Sequence, residues 1–292
     1  MSLWQGKSKG NKSGYTIFVW VLKHFGVLPA YFLLRFVVLY YFLFSYRSSR
    51  HIYFLYHHKL GYSRIASLFK LYSNYYLLGQ CIIDKVVVMS GIKNNFTYHF
   101  DGEENLREMV TMQKGGLLLS AHIGNWDIAG HLLKRLDTRI HIVIFDGEQR
   151  QIKEYLASVT GKQSVNIIFI KNDLSHIYKI SAAFKNNELV CMHADRFLEE
   201  NKTLSTDFLG EKASFPMGPF MLASVFKVPV SFVFAVKERP LHYHFFSSKI
   251  KSYDHVEKPV VMQDMLHEFA KEMEIKLKKY PAQWFNYYDF WH

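Results

Sequence analysis

Apolar positions are patterned unevenly along the chain. From Tyr15 to Leu28, and again from Pro29 to Tyr46, apolar residues go all the way round the helical circle, interrupted only by Lys23, His24 and Arg35. A soluble amphipathic helix would keep a polar face, with apolar residues at three- and four-residue spacing. Pro29 suits a helix first turn and would break a helix interior, so the pattern predicts two successive apolar helices. Between Arg64 and Val88, Ile65, Leu68, Phe69, Tyr72, Tyr75, Tyr76, Cys81 and Ile82 step by mixed threes and fours, which predicts a third helix bridging to the rest.

The texture changes after Gly115. Buried strands are predicted at 116–121, 140–145, 165–170, 188–192 and 228–236, all short apolar runs. Helices are predicted between them at 128–135, 149–159, 175–185 and 218–226. Residues 241–248 alternate and follow a turn at Arg239-Pro240, as an antiparallel partner of the preceding strand would. A last helix over 262–280 places Met262, Leu266, Phe269, Met273 and Leu277 on one stripe. The alternation predicts an α/β fold, with a mixed, mostly parallel sheet flanked by helices. The simplest organisation is a basic lead at 1–14, a membrane-associated helical region at 15–90 and an α/β domain at 91–292.

Composition sharpens the amino-terminal reading. The 292 residues hold 25 Phe, 19 Tyr and 5 Trp, 17% of the chain, and 36 Lys+Arg against 25 Asp+Glu give a net charge of +11. Such a balance suits either nucleic acid or a membrane surface. Much of the aromatic excess lies in the two apolar stretches rather than among basic residues on polar strands, which argues against base-stacking platforms and nucleic acid. The second stretch approaches the roughly 20 residues that span hydrocarbon. Arg47, Arg50, His51, His57, His58, Lys59 and Arg64 follow it, suited to anionic headgroups on the cytoplasmic side. The stretch reads as a membrane anchor that spans or lies on the bilayer; the alternative is a buried core helix pair.

Chemistry concentrates at Ser120-Ala121-His122-Ile123-Gly124-Asn125-Trp126-Asp127. His122 leaves the carboxyl end of a buried strand, where open α/β sheets bind ligands. Gly124 and Asn125 allow a tight turn, and Asp127 falls at the start of the next helix. A carboxylate holding one ring nitrogen leaves the other free to take a proton from a hydroxyl, so the spacing suits a general-base pair. Spacing alone also allows a strand-end histidine and a helix-capping aspartate. Cys81 and Cys191 sit in apolar runs and read as core residues. His193/Asp195 and His242/His244 have the i,i+2 spacing of strand-borne metal donors, but no third ligand is evident, and they read as strand residues facing one side. No P-loop or dinucleotide fingerprint occurs.

The segment resembles the H-x4-D/E signature of the glycerolipid and lipid A acyltransferase superfamily, and H-x-G-N-W-D is close to its late lipid A biosynthesis branch. Downstream, Ala194-Asp195-Arg196 and the block from Phe208 to Pro219 are similar to that family's second block, and residues 280–288 are similar to its closing P-x-Q/E-W/Y segment. The resemblance runs from about residue 14 to the end. Asp127 and Asp195 stand where relatives carry Glu as well; the carboxylate is kept.

What the resemblance implies is a membrane-bound acyltransferase. It would move a fatty acyl chain from an acyl carrier protein or coenzyme A thioester to a hydroxyl of a lipid A-type glycolipid precursor. An aminolipid, phosphoglycolipid or pigment polyene is an alternative acceptor. The expected place is the cytoplasmic face of a bacterial inner membrane, among membrane lipids, with no cofactor and no metal. His122 would be the general base and Asp127 its orienting partner, with no covalent intermediate. Asn125, Arg150, Asp195, Arg196 and Gly218 would bind substrate. Arg196 would meet acceptor phosphate or brace the carboxylates, and Gly218 would open a helix whose free N–H groups suit an anion. Arg150 reads equally as a solvated charge at a helix start.

Overall fold

The computed structural model describes residues 12–145, 166–171, 173–198, 201–253 and 257–291. The expected helix at 149–159, with Arg150, lies outside the described residues.

Four helices come first: α1 (Lys12–Phe25), α2 (Val27–Phe44), α3 (Tyr46–Phe54) and α4 (Arg64–Met89). Ser63 caps α4, its Oγ accepting from Ala66 N at 3.3 Å. α2 is apolar all round, yet only Val27, Ala30, Tyr31, Leu34 and Val38 are buried, on the stripe packed against α4. Gly79 of α4 makes the close approach possible, because a Cβ there would meet Leu34 Cδ1 at 2.5 Å. The other face leaves Leu28, Phe32, Phe36, Leu39, Tyr40 and Leu43 exposed. By length and composition α2 is able to cross a membrane.

The sheet then assembles from β1 (Thr97–Asp101), β2 (Gly116–Ser120), β3 (Ile140–Phe145), β4 (Asn166–Ile170), β5 (Leu189–His193), β8 (Val230–Arg239) and β9 (His242–Ser247). Their order is β1-β9-β8-β2-β5-β3-β4. Every pairing is parallel except β8 with β9, the antiparallel partner that the alternation at 241–248 predicts. All five residues of β2 are buried, as a central strand covered on both faces requires. Helices α5 (Glu103–Thr111), α6 (Trp126–Leu132), α7 (Ser175–Lys185), α8 (Met217–Phe226) and α9 (Lys258–Lys279) accompany the sheet. The fold class is the expected one.

The main core joins the parts. Ile52, Leu55, Tyr56 and Leu71 of the amino-terminal helices pack in one cluster with Leu117, Phe232, Phe269 and Trp284. β1 and the separate hairpin of β6 (Thr203–Phe208) and β7 (Glu211–Pro216) are not evident from hydrophobic pattern. The hairpin strands are mostly polar and turn inward through residues such as Phe208, Ala213 and Phe215. Their two-residue turn, Leu209-Gly210, has φ of 51° and 82°. Positive φ at both positions suits the twist of a hairpin, but leucine is an unusual residue for the first and gives no sequence signal.

Candidate active site

β2 and β5 are parallel neighbours with Ser120 opposite His193. Continuing that register by two residues brings His122 beside Asp195, both just past the carboxyl ends of their strands. The Asp195 carboxylate grips His122 twice: Oδ1 lies 2.7 Å from Nδ1, and Oδ2 accepts from the backbone N–H at 2.9 Å. Trp284 Nε1 donates to the same Oδ2 at 3.1 Å, and Tyr288 Oη donates to the Asp195 carbonyl at 2.9 Å. Asp195 is 1% exposed and the His122 side chain 13%. An ionised carboxylate only accepts, so Nδ1 carries the ring hydrogen of the neutral imidazole and Nε2 keeps its lone pair. No hydrogen bond among the described residues occupies Nε2.

Electrostatics favour that state. Burial, and after it the Arg196 charge, lowers the His122 pKa from its ordinary 6.5, against the pull of Asp195. Burial alone would raise Asp195, but His122 and then Arg196 outweigh it and hold the carboxyl well below the usual range. The His193 ring lies 4.2 Å from that of His122, and Trp126 sits edge-on at 4.9 Å. Burial drives His193 well below the ordinary histidine value, so it too is neutral.

The turn that carries His122 is held from two sides. Gly124, at φ 71°, runs so close to β8 that a Cβ would lie 1.9 Å from Ala235 O. Its N–H donates to Gln283 O at 2.8 Å, and Asn125 N donates to Ala235 O at 2.7 Å. The closing segment straps the turn: Phe285 N donates to His122 O at 3.0 Å, and the Gln283 amide bonds both backbone groups of Lys237 at 2.8 Å. Behind the turn lies a buried polar cluster. Lys237 Nζ is 2.5 Å from Asp84 Oδ2 and from Tyr31 Oη, and Tyr31 Oη donates to Asp84 Oδ1 at 2.5 Å. Tyr243 Oη also donates to Asp84 and accepts from Asn125 Nδ2 at 3.1 Å.

These positions reassign several expectations. Asp127, expected to orient His122, instead faces Lys85 at 3.1 Å from the first turn of α6. It adds only a minor attraction for the His122 proton, and the hydrogen-bonding carboxylate is Asp195. Asn125, expected at the substrate, is 2% exposed. It caps α6 by accepting from Ile128 N at 3.3 Å and donates to Cys81 O at 3.0 Å, so its work is inside the fold. Arg196 donates to Phe285 O at 2.5 Å and braces the closing segment. Gly218 is the second residue of α8, where Pro216 is the cap, and no described hydrogen bond joins it to His122. Arg150 lies outside the described residues. Trp284, Tyr288 and Lys85 were not expected at the site. The conspicuous 280–288 segment carried a signal for the first two.

A neutral imidazole at the carboxyl edge of a mostly parallel sheet, held by a buried carboxylate, defines a histidine–carboxylate site able to take a proton from an incoming hydroxyl. The chain belongs to the bacterial lipid A biosynthesis acyltransferase family, whose sequence model matches residues 76–291, and it is an acyltransferase that acts on lipid. The match begins inside α4, so the resemblance seen from residue 14 extends beyond the matched span. Among solved structures, the 1-acyl-sn-glycerophosphate acyltransferase of Thermotoga maritima is similar at 14% identity, over 85% of this chain and 98% of that one, with a TM-score of 0.43. No curated protein gives a significant match.

Proposed function

We propose that the protein transfers a fatty acyl chain from a thioester, carried by acyl carrier protein or coenzyme A, to a hydroxyl of a lipid A-type glycolipid precursor. The observation that carries the reading is the His122 ring, whose Nδ1 is fixed by Asp195 while Nε2 is left to react. Nε2 takes the proton of the acceptor hydroxyl as its oxygen attacks the thioester carbonyl. The tetrahedral adduct collapses, the C–S bond breaks, and the imidazolium returns the proton to the departing thiolate. A thioester is already activated, so no enzyme nucleophile is needed. Asp195 fixes the tautomer and stabilises the imidazolium. Asp127, pulled toward Lys85, adds negative potential near the ring.

A mostly apolar pocket lined by Trp126, Ala129, Cys191, Val233 and Phe245, with Asp101, Glu103 and Arg135 also in its wall, adjoins the same turn through Trp126 and supports a hydrocarbon substrate. The exposed aromatic face of α2, together with exposed Ile17 and Trp20 of α1 and Ile65, Leu68 and Phe69 of α4, supports residence on a membrane. Arg47, Arg50 and Arg64, which follow α2 in the chain, suit anionic headgroups at the cytoplasmic leaflet of the inner membrane. The acceptor is tested by mass spectrometry of total lipids from cells with and without the gene. The reading predicts that deletion leaves a glycolipid one acyl chain short. An unchanged glycolipid, with the missing chain found on an aminolipid or polyene, would reassign the acceptor.

A further inference from the structure

Outside the His122 cluster, β1 and β9 bring together a second group of side chains. The strands are parallel with His99 opposite His244, and Asp101 follows two residues along on the same face. His99 Nε2 lies 3.0 Å from Asp101 Oδ1, and His244 Nε2 lies 2.9 Å from Asp101 Oδ2. All three donor atoms fall within 4.8 Å of one another.

His244 is the informative member. It is 8% exposed, and its Nδ1 lies 3.0 Å from Glu238 Oε1. The same Glu238 carboxylate also accepts from Tyr280 Oη. Nε2 is buried and, despite the short contact with Asp101, lies off the line a hydrogen bond needs. A buried ring nitrogen and a carboxylate oxygen that face each other at 2.9 Å without a hydrogen bond are an arrangement that a shared cation would bridge.

We propose that His99, Asp101 and His244 bind one divalent transition-metal ion of the zinc class, with Glu238 holding His244 from behind. Two imidazoles and a carboxylate select zinc, cobalt or nickel over calcium and magnesium. Around a tetrahedral zinc with bonds of about 2.1 Å, ligand atoms stand roughly 3.4 Å apart, so the two His–Asp101 contacts of 3.0 and 2.9 Å would open by about half an ångström to admit the ion. Histidine ligands usually give their second ring nitrogen to a carboxylate, the part Glu238 plays. The His99 and Asp101 side chains are more than half exposed, so water completes the shell from the open side. Lys276, stacked 3.8 Å over Phe246, and Lys279, 4.0 Å from Glu238, place opposing charge nearby and moderate the affinity. The ion would clasp the edge strand β1 to β9.

The test uses the full, tag-free protein in detergent, stripped with chelator and titrated with Co2+ while its visible absorption and thermal midpoint are followed. The wild type should take up one ion saturably, give a ligand-field band that Zn2+ displaces, and melt higher when loaded. His99→Ala and Asp101→Asn, both at exposed positions, should keep the metal-free midpoint and lose the band and the upward shift. Glu238→Gln should weaken binding about 10–100-fold. Cobalt uptake in His99→Ala equal to wild type would place the metal elsewhere. No saturable binding up to about 1 mM, an affinity of roughly −4 kcal/mol, would overturn the proposal.

Discussion

Asp195 and Asp127 show how two carboxylates near one histidine divide their work. Asp195 is buried, doubly bonded to His122 and tied to Trp284, whereas Asp127 is part-exposed and shared with Lys85. Asp195→Asn should therefore cut kcat by about 10²–10⁴, because an amide favours the wrong ring tautomer. Asp127→Asn removes a field and should cost less; a larger loss for Asp127→Asn in steady-state turnover would reverse the assignment. The pH profile follows from the same residues. Burial and Arg196 lower the His122 pKa, so its neutral, proton-accepting form persists below pH 6.5. The acid limb of kcat/KM should then have its midpoint below 6.5, with activity falling as pH drops through it. A midpoint above 6.5 would mean that the imidazolium is favoured instead.

The elements around the site are locked by one buried ion pair. Asp84 of α4 and Lys237 of β8 are 0% and 1% exposed. Burial pushes Asp84 up and Lys237 down, and their mutual attraction opposes both shifts. Through Tyr31 the pair reaches α2, and through Tyr243 and Asn125 it reaches the His122 turn. Lys237→Met would leave Asp84 buried without its counter-charge, which should cost about 3–5 kcal/mol in denaturant unfolding, and pairing it with Asp84→Leu should recover most of that loss. A full-cost double variant would show that the hydroxyls, rather than the charges, hold the cluster. Little of this arrangement is legible in sequence. The run Gly116–Ser120 announces a central strand, and His122 at its end announces the site. Asp195 becomes the partner through the parallel register of β2 and β5, which acts across 73 residues. Likewise Asp84 and Lys237, inside apolar helix and strand runs, give no sign that they will meet.

At the scale of the whole molecule, the apolar amino-terminal helices are both core and surface. α2 buries one stripe against α4, as a core helix would, and presents an exposed apolar face on the other side, where the proposed membrane contact would lie. At 1.5 Å per residue its 18 residues reach about 27 Å. Replacing Phe32, Phe36 and Tyr40 on the outward face by Ser removes roughly 1.5–3 kcal/mol of burial per ring, and should release the protein from anionic vesicles in a flotation assay while turnover of a detergent-dispersed substrate persists. Undiminished flotation would put the membrane contact on another surface. In the proposed reaction His122 is the base of a lipid acyl transfer. Its most direct test is a labelled acyl thioester offered with a hydroxylated glycolipid acceptor to wild type and His122→Ala. The variant should fold and bind vesicles as wild type does and lose at least about 100-fold in transfer; transfer at the wild-type rate would contradict the claim.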